Sequence, residues 1–137
     1  YQELSFLQLD CFSKEFYDLE ADIIHCGLFL HHFEDEVLMD YVPRLCQMAQ
    51  RGLIINDLHR HPLAYRLFQL VCTVFRASEM VRHDGLASIL RSFRPNELKQ
   101  LLPVSEQISY KLSWKWAFRY QMVIQTQAYS QFANTEQ

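Results

Sequence analysis

Residues 30–36, LHHFEDE, bring two histidines and three acidic residues into seven positions, directly after the apolar run ADIIHCGLFL. Such a set of side chains could bind a metal ion, supply a catalytic base, or mark the junction between a strand and a helix. A histidine titrates near neutral pH, so it is well suited to accept a proton during catalysis.

A metal site in this stretch is disfavoured by the spacing. His31 and His32 are adjacent, and their side chains diverge on a strand end or a first helical turn. His59 and His61 add two imidazoles in a second loop, but the sequence lacks the tighter Cys and His pairs of most zinc sites. We therefore predict no metal site and interpret the stretch as a junction. We expect His32 to pack there and His31 to face a cleft.

The composition restricts the class of protein. Half of the 137 residues are apolar, which is enough for the core of one domain, and the formal net charge of −3 argues against nucleic-acid or anionic-membrane partners. No apolar run approaches the ~18–20 residues that a membrane span needs. The sequence has four cysteines without the paired spacing of a disulfide framework or zinc site: Cys11, Cys26, Cys46 and Cys72. This pattern is typical of buried thiols in a reducing cytoplasm. We expect a cytoplasmic protein without a membrane or nucleic-acid partner.

The first half of the sequence predicts alternating strands and helices. LSFLQLD, residues 4–10, is predicted to be a short strand, and ADIIHCGLFL a parallel strand buried on both faces. Acidic residues 34–36 suit the first turn of a helix, which we expect to end at Arg51 and Gly52. LIIND, residues 53–57, follows as a second buried strand. Strand, helix and strand with short connections predict a parallel βαβ unit.

The second half predicts two helices and a hairpin. A helix should begin at Pro62 and end at the RHDG sequence, residues 82–85, and a short one should run from Pro95 to Pro103. Residues 108–124 alternate with period two over a length too great for one strand, which predicts an antiparallel hairpin bending near residues 113–116. Residues 128–137 are expected to be a frayed tail.

The order of these elements resembles a known family. FLQLD, ADIIHCGLFLHHFEDE, LCQMAQRGLIINDLHR and SFRPNEL, followed by a hairpin, are similar to the small-molecule branch of the class I S-adenosylmethionine-dependent methyltransferases. The resemblance implies an α/β, Rossmann-like sheet of strand order 3-2-1-4-5-7-6, with the last strand antiparallel. Residues 1–127 would then form the C-terminal portion of the domain, with strands three to seven.

The family's glycine-rich motif has no counterpart here. The three glycines, Gly27, Gly52 and Gly85, are too far apart to form a nucleotide-binding loop, and the acid that ends the family's second strand is also missing. We therefore expect the chain to belong to a longer enzyme, and a glycine motif upstream of Tyr1 would favour an enzyme over a non-catalytic relative. By itself the chain should be inactive.

The resemblance also implies a cofactor site for S-adenosylmethionine. Open α/β sheets bind ligands outside the carboxyl ends of their strands. Asp10 would accept a hydrogen bond from the adenine amino group, the Cys11 amide would meet a ring nitrogen, and Phe12 would pack on the ring. From the residues alone, Asp10 could equally cap a turn. Three residues at the end of the predicted fourth strand would approach the methionine part of the cofactor: Cys26, Gly27 and Leu28.

Methyl transfer to oxygen needs a base or an already acidic acceptor. The candidate bases are His31, His59 and His83, the last beside Asp84. Arg60 could hold an acidic or phenolate oxygen, although an ion pair at the surface would explain it equally well. Tyr65 could line an apolar pocket. His83 and Asp84 could instead belong to a polar loop, and His25 is expected to lie in the core.

These observations lead to one functional hypothesis and two alternatives. The hypothesis is methyl transfer from S-adenosylmethionine to a small-molecule acceptor, at an oxygen of an aromatic or polyketide-like compound. One alternative is a non-catalytic methyltransferase-like partner or scaffold domain, and the other is a histidine-ligated metal hydrolase. The sequence does not indicate the oligomeric state.

Overall fold

A computed structural model describes residues 4–103 and 108–126, which form a mixed four-stranded sheet with helices. The strands are β1 (Ala21–Gly27), β2 (Ala49–Leu58), β3 (Ser109–Lys115) and β4 (Arg119–Gln125). Their order is β1-β2-β4-β3, with β1 parallel to β2 and β4 antiparallel to both of its neighbours. The predicted parallel βαβ unit and the C-terminal hairpin are confirmed, and the predicted tail at 128–137 lies outside the described residues.

The described residues also form five α-helices and one 3-10 turn: α1 (Lys14–Tyr17), the 3-10 turn (Leu30–His32), α2 (Asp35–Met48), α3 (Pro62–Val74), α4 (Glu79–Arg91) and α5 (Pro95–Gln100). Pro62 and Pro95 occupy first-turn positions, where proline loses no helical hydrogen bond. The Ser78 side chain accepts a hydrogen bond from the Val81 amide and so caps α4. The short helix predicted at Pro95 is confirmed.

The core lies on one face of the sheet. Helix α2 turns four apolar side chains toward it, and alternate residues of β2 and β4 meet them: Leu38, Tyr41, Val42, Leu45, Leu53, Ile55, Met122 and Ile124. Each of these is at most 2% exposed. Burying a side chain of this kind stabilises the fold by roughly 1.5–3 kcal/mol. The core therefore fixes the carboxyl ends of β1 and β2, where the candidate residues lie.

The prediction that the strand at 21–30 is buried on both faces is wrong. Only Cys26 of β1 is buried, while Ile23 is 56% exposed and His25, expected in the core, is also exposed. In the part of the chain that the structure describes, β1 is one of the two edge strands and the buried core cluster lies on only one face of the sheet. The strand ends at Gly27 because Leu28 adopts a left-handed backbone conformation.

The prediction of a strand at residues 4–10 is also wrong. This segment has no regular structure, and Leu4 and Phe6 are 89% and 93% exposed. A strand needs a neighbour to satisfy its backbone N–H and C=O groups, and none of the described strands lies beside this segment. Four of the five predicted strands are therefore present among the described residues.

The sequence predicts two helix ends at glycines, and both predictions are wrong. Helix α2 ends at Met48, and Gly52 lies within β2, where an added Cβ would come 2.6 Å from the Ile124 carbonyl oxygen of β4. The RHDG sequence lies inside α4, and an added Cβ at Gly85 would lie 2.3 Å from the Phe68 ring of α3. Both glycines permit close packing and neither ends a helix.

Candidate functional site

The carboxylate of Asp57 organises the end of the parallel strand pair. Asp57 is completely buried at the carboxyl end of β2. Its Oδ2 accepts backbone hydrogen bonds from Phe29 at 3.2 Å, Leu30 at 2.9 Å and His31 at 3.4 Å, and its Oδ1 accepts from Leu58 at 2.7 Å. Because four amides converge on one carboxylate, the turn that follows β1 is fixed to β2.

The same carboxylate holds the side chain of His31. Nδ1 of His31 lies 2.6 Å from Oδ1 of Asp57, and the histidine is only 5% exposed. The imidazole is thereby fixed in orientation, with its Nδ1 engaged by the carboxylate.

The roles expected for the two adjacent histidines are reversed. His31 is the histidine that packs and hydrogen-bonds at the junction, whereas His32 is exposed, its ring 4.2 Å from that of His31. The reason is Asp57, to which the sequence analysis assigned no role. The signal was present in the sequence LIIND, because an acidic residue that ends a buried strand must find donors close by.

Residues 10–12 lie beside this junction. The ring of Phe12 is 5.3 Å from that of Phe33 and 5.1 Å from that of Tyr41, measured between centroids. Oδ1 of Asp10 accepts a hydrogen bond from the Phe12 amide at 2.9 Å, so the turn-capping alternative is observed for this oxygen. The adenine contacts of Asp10, Cys11 and Phe12 remain a prediction.

The thiol of Cys26 is buried near Asp57 and Cys11. Burial, together with the nearby Asp57, Cys11 and Cys46, raises the pKa of Cys26 to about 11. Burial also raises the pKa of the Tyr41 hydroxyl, as does the neighbouring Cys11. Cys26 is therefore a neutral thiol with little nucleophilic character.

A Cβ added at Gly27 would first meet the His25 side chain, at 3.0 Å, so the space beside Gly27 is bounded by a group that can move.

Leu28 connects β1 to the 3-10 turn with a φ of 52°, and its amide donates to the Asn56 carbonyl at 2.9 Å. A residue with a Cβ is strained in this region of the Ramachandran plot, and strain of this kind is concentrated at functional sites.

We expect Leu28→Gly to raise the free energy of unfolding by about 0.5–1 kcal/mol, because glycine adopts a positive φ without steric cost. Leu28→Ala is the control, since it shortens the same half-exposed side chain but keeps the Cβ. Urea unfolding of the three proteins measures the difference. Equal stabilities of the glycine and alanine variants would show that the backbone of Leu28 is not strained.

His59, the second candidate base, lies just beyond β2 and beside the hairpin. Its Nε2 is 3.4 Å from the Tyr120 hydroxyl, and its backbone amide donates to the Phe118 carbonyl at 2.9 Å. Burial lowers the pKa of His59, and the neighbouring His61 lowers it further. Nδ1 of His59 is buried without a hydrogen-bond partner among the described residues. Burial therefore favours the neutral form of this ring.

The remaining candidates have other contacts. Arg60 forms an ion pair with Glu97 and also donates to the Leu90 carbonyl at 3.5 Å, so the ion-pair alternative is observed and its substrate role remains a prediction. Tyr65 lies half-buried on α3. His83 is 85% exposed on α4, with Nδ1 3.4 Å from Asp84, and the loop expected there is wrong. The structure thus brings together the ends of β1, β2 and β4 and leaves His83 on the surface.

Within residues 4–103 and 108–126, no group of three or more His, Cys, Asp or Glu side chains is arranged to hold a metal ion. None of the helices described there is both long enough and apolar enough to cross a membrane. A scan against models of known protein families gives no match. A search of curated proteins finds no relative either.

Proposed function

We propose that this chain is the acceptor-side part of an S-adenosylmethionine-dependent methyltransferase that methylates an oxygen of a small planar molecule. The observation that carries the proposal is the buried pair of His31 and Asp57. This pair lies at the carboxyl ends of two parallel strands, which is where open α/β sheets bind their ligands.

Two further features support the cofactor assignment. The strand order β1-β2-β4-β3 with β4 antiparallel is the order that the sequence resemblance implies for this part of the sheet. Phe12 is 44% exposed beside Phe33 and Tyr41, which leaves ring surface on which a purine could pack. The residues present therefore fit the adenosine end of the cofactor.

When bound, S-adenosylmethionine would supply an electrophilic methyl group on a positively charged sulfur, and this sulfur would leave as a neutral thioether when its bond to the methyl carbon breaks. Nε2 of His31 takes the proton of the acceptor hydroxyl as that oxygen attacks. Asp57 keeps the imidazole in place and stabilises the positive charge that it gains. Because the pair is buried, bulk water has little access to compete with the acceptor for this base.

The test compares the 137-residue chain with the same chain extended upstream of Tyr1 by the residues encoded before it. Both are incubated with S-adenosylmethionine carrying a tritiated methyl group and a panel of phenols. We expect the extended chain to transfer label to a phenol. The 137-residue chain should bind the cofactor weakly or not at all, since it lacks a glycine-rich turn.

Micromolar binding of S-adenosylmethionine by the 137-residue chain would contradict this expectation. An extended chain that binds the cofactor but methylates none of the phenols would argue against the acceptor class. An extended chain that binds no cofactor would favour the alternative of a non-catalytic partner domain, to which the missing glycine motif points.

In the extended chain we expect Asp10→Ala to weaken cofactor binding by roughly 1–3 kcal/mol, since the adenine amino group would lose its acceptor. Asp18→Ala is the matched control, because Asp18 is an exposed aspartate at the end of α1. Calorimetric titration measures both. Unchanged affinity for Asp10→Ala, with an intact circular dichroism spectrum, would leave Asp10 with its turn-capping role alone.

A further inference from the structure

Five aromatic side chains form a continuous row where the hairpin meets the end of β2. We call this row the ring cluster, and its members in order of contact are Tyr120, His59, His61, Phe118 and Trp114. Successive ring centroids are 4.5, 5.1, 5.5 and 6.2 Å apart. The rings of His61 and Phe118 are stacked. The row presents aromatic surface at the same end of the sheet as the candidate base.

The strand register places the ring cluster beside the pair of His31 and Asp57. Asp57 of β2 is paired with Tyr120 of β4, and Tyr120 is paired with Trp114 of β3. Directly paired residues project from the same face of a sheet. The hydroxyl of Tyr120 and the carboxylate that holds His31 therefore lie on neighbouring strands and on the same face.

The pair of His59 and Tyr120 is arranged to donate a hydrogen bond outward. Nδ1 of His59 is buried without a partner among the described residues, and a buried N–H without an acceptor is strongly disfavoured. The proton of the neutral ring is therefore assigned to Nε2, which points to the Tyr120 oxygen at 3.4 Å. The hydroxyl proton of Tyr120 is then free to be donated to another oxygen.

The two arginines beside the ring cluster each have a partner within the chain. The nearby Arg60 is held in its ion pair with Glu97, and Arg119 donates to the Trp116 carbonyl at 3.3 Å. The cluster itself consists of aromatic rings and imidazoles with one phenolic hydroxyl, and Trp114 is 52% exposed. Exposed aromatic rings beside a single hydroxyl donor suit a planar molecule that carries its own oxygen.

We propose that the ring cluster binds a neutral planar phenol, packed against Trp114 and Phe118, with Tyr120 donating a hydrogen bond to the phenol oxygen. The identification of this phenol as the methyl acceptor rests on the function proposed above. Tyr120 is a substrate-binding residue in this assignment, and His59 is a positioning residue that orients its hydroxyl.

The two tryptophans of the chain allow a direct test. Catechol is titrated into the 15N-labelled 137-residue chain, and the two indole N–H signals are followed by NMR. Trp114 belongs to the ring cluster, whereas Trp116 is 82% exposed in the turn and serves as the internal control. We expect catechol to shift the Trp114 signal saturably and to leave that of Trp116 nearly unchanged. Cyclohexane-1,2-diol, which has the hydroxyls but no planar ring, should bind more weakly.

Tyr120→Phe removes only the hydroxyl and should weaken catechol binding by roughly threefold to tenfold. His59→Gln provides a second variant should the first fail to fold, and it should weaken binding by a similar factor. The inference is overturned if catechol leaves Trp114 unmoved, if it moves both indole signals alike, or if the folded variants bind as tightly as the native chain.

The outcome is separable from that of the methyl-transfer experiment, because catechol binding is measured without cofactor. A saturable Trp114 response in a protein that transfers no methyl group would support the phenol site while refuting the proposed reaction. Methyl transfer to a phenol without any Trp114 response would support the reaction and overturn the assignment of the ring cluster.

Discussion

Replacing Asp57 by alanine should destabilise the chain by about 3–5 kcal/mol. The carboxylate accepts four backbone hydrogen bonds and one from the His31 ring, and all five donors would lose their acceptor where water has little access. A loss of this size is a large fraction of the stability of a small domain. Urea unfolding of the 137-residue chain, followed by circular dichroism, measures it.

The chain provides a matched control in its second pair of neighbouring His and Asp side chains. Asp84 is 72% exposed and lies 3.4 Å from His83, so Asp84→Ala should leave the unfolding midpoint nearly unchanged. The stability of Asp57→Asn should lie between those of Asp57→Ala and Asp84→Ala. The asparagine amide oxygen still accepts hydrogen bonds, whereas its NH2 group would face other donors. If Asp57→Ala and Asp84→Ala were equally stable, the carboxylate of Asp57 would not be what fixes the turn after β1.

Replacing His31 by asparagine in the extended chain should lower turnover by roughly 10²–10⁴-fold, the usual contribution of a general base. Cofactor affinity should barely change, because the base contacts the acceptor. Turnover is measured across pH with the phenol that gives the highest rate, and loss of the base should also flatten the pH profile. Circular dichroism and cofactor titration show whether the variant is folded.

His32→Asn is the matched control for this experiment, since His32 is adjacent, exposed and outside the proposed site. His59→Asn and His83→Asn complete the series of candidate bases. Near-normal rates and an unshifted pH profile in the variants of His31, His59 and His83 would exclude a histidine base. Catalysis would then depend on an acidic phenol held in line with the methyl group, since proximity alone can remove much of the barrier.

The regular elements could be predicted because their signals are local. The continuous apolar runs predicted β1 and β2, and the period-two pattern of residues 108–124 predicted a hairpin that bends within one or two residues of its observed turn. The predictions failed where the outcome depends on neighbours in space. Residues 4–10 have the pattern of a strand but no partner strand, and Gly52 resembles a helix stop although its role is to let β4 approach.

The candidate site was predictable in position but not in its detailed contacts. The ends of parallel strands are where ligands bind, and this rule pointed to residues 10–12 and 26–28. Sequence adjacency cannot show which of His31 and His32 is buried, because the answer depends on a carboxylate 26 positions away in the chain. The same is true of Tyr120, whose neighbours His59 and Trp114 become visible only through the strand register.

Chemical modification of the buried cysteines can show which elements of the fold open locally. Burial raises the pKa of Cys26 and Cys46 to about 11, so at pH 7 roughly one thiol in ten thousand is the reactive thiolate. Cys26 lies on β1, Cys46 on α2 and Cys72 on α3, all buried, whereas Cys11 is partly exposed. An alkylating reagent should therefore modify Cys11 first and reach each of the others only when its own element detaches from the core. The order in which they are modified would rank the strand and the two helices by how readily each leaves the folded state.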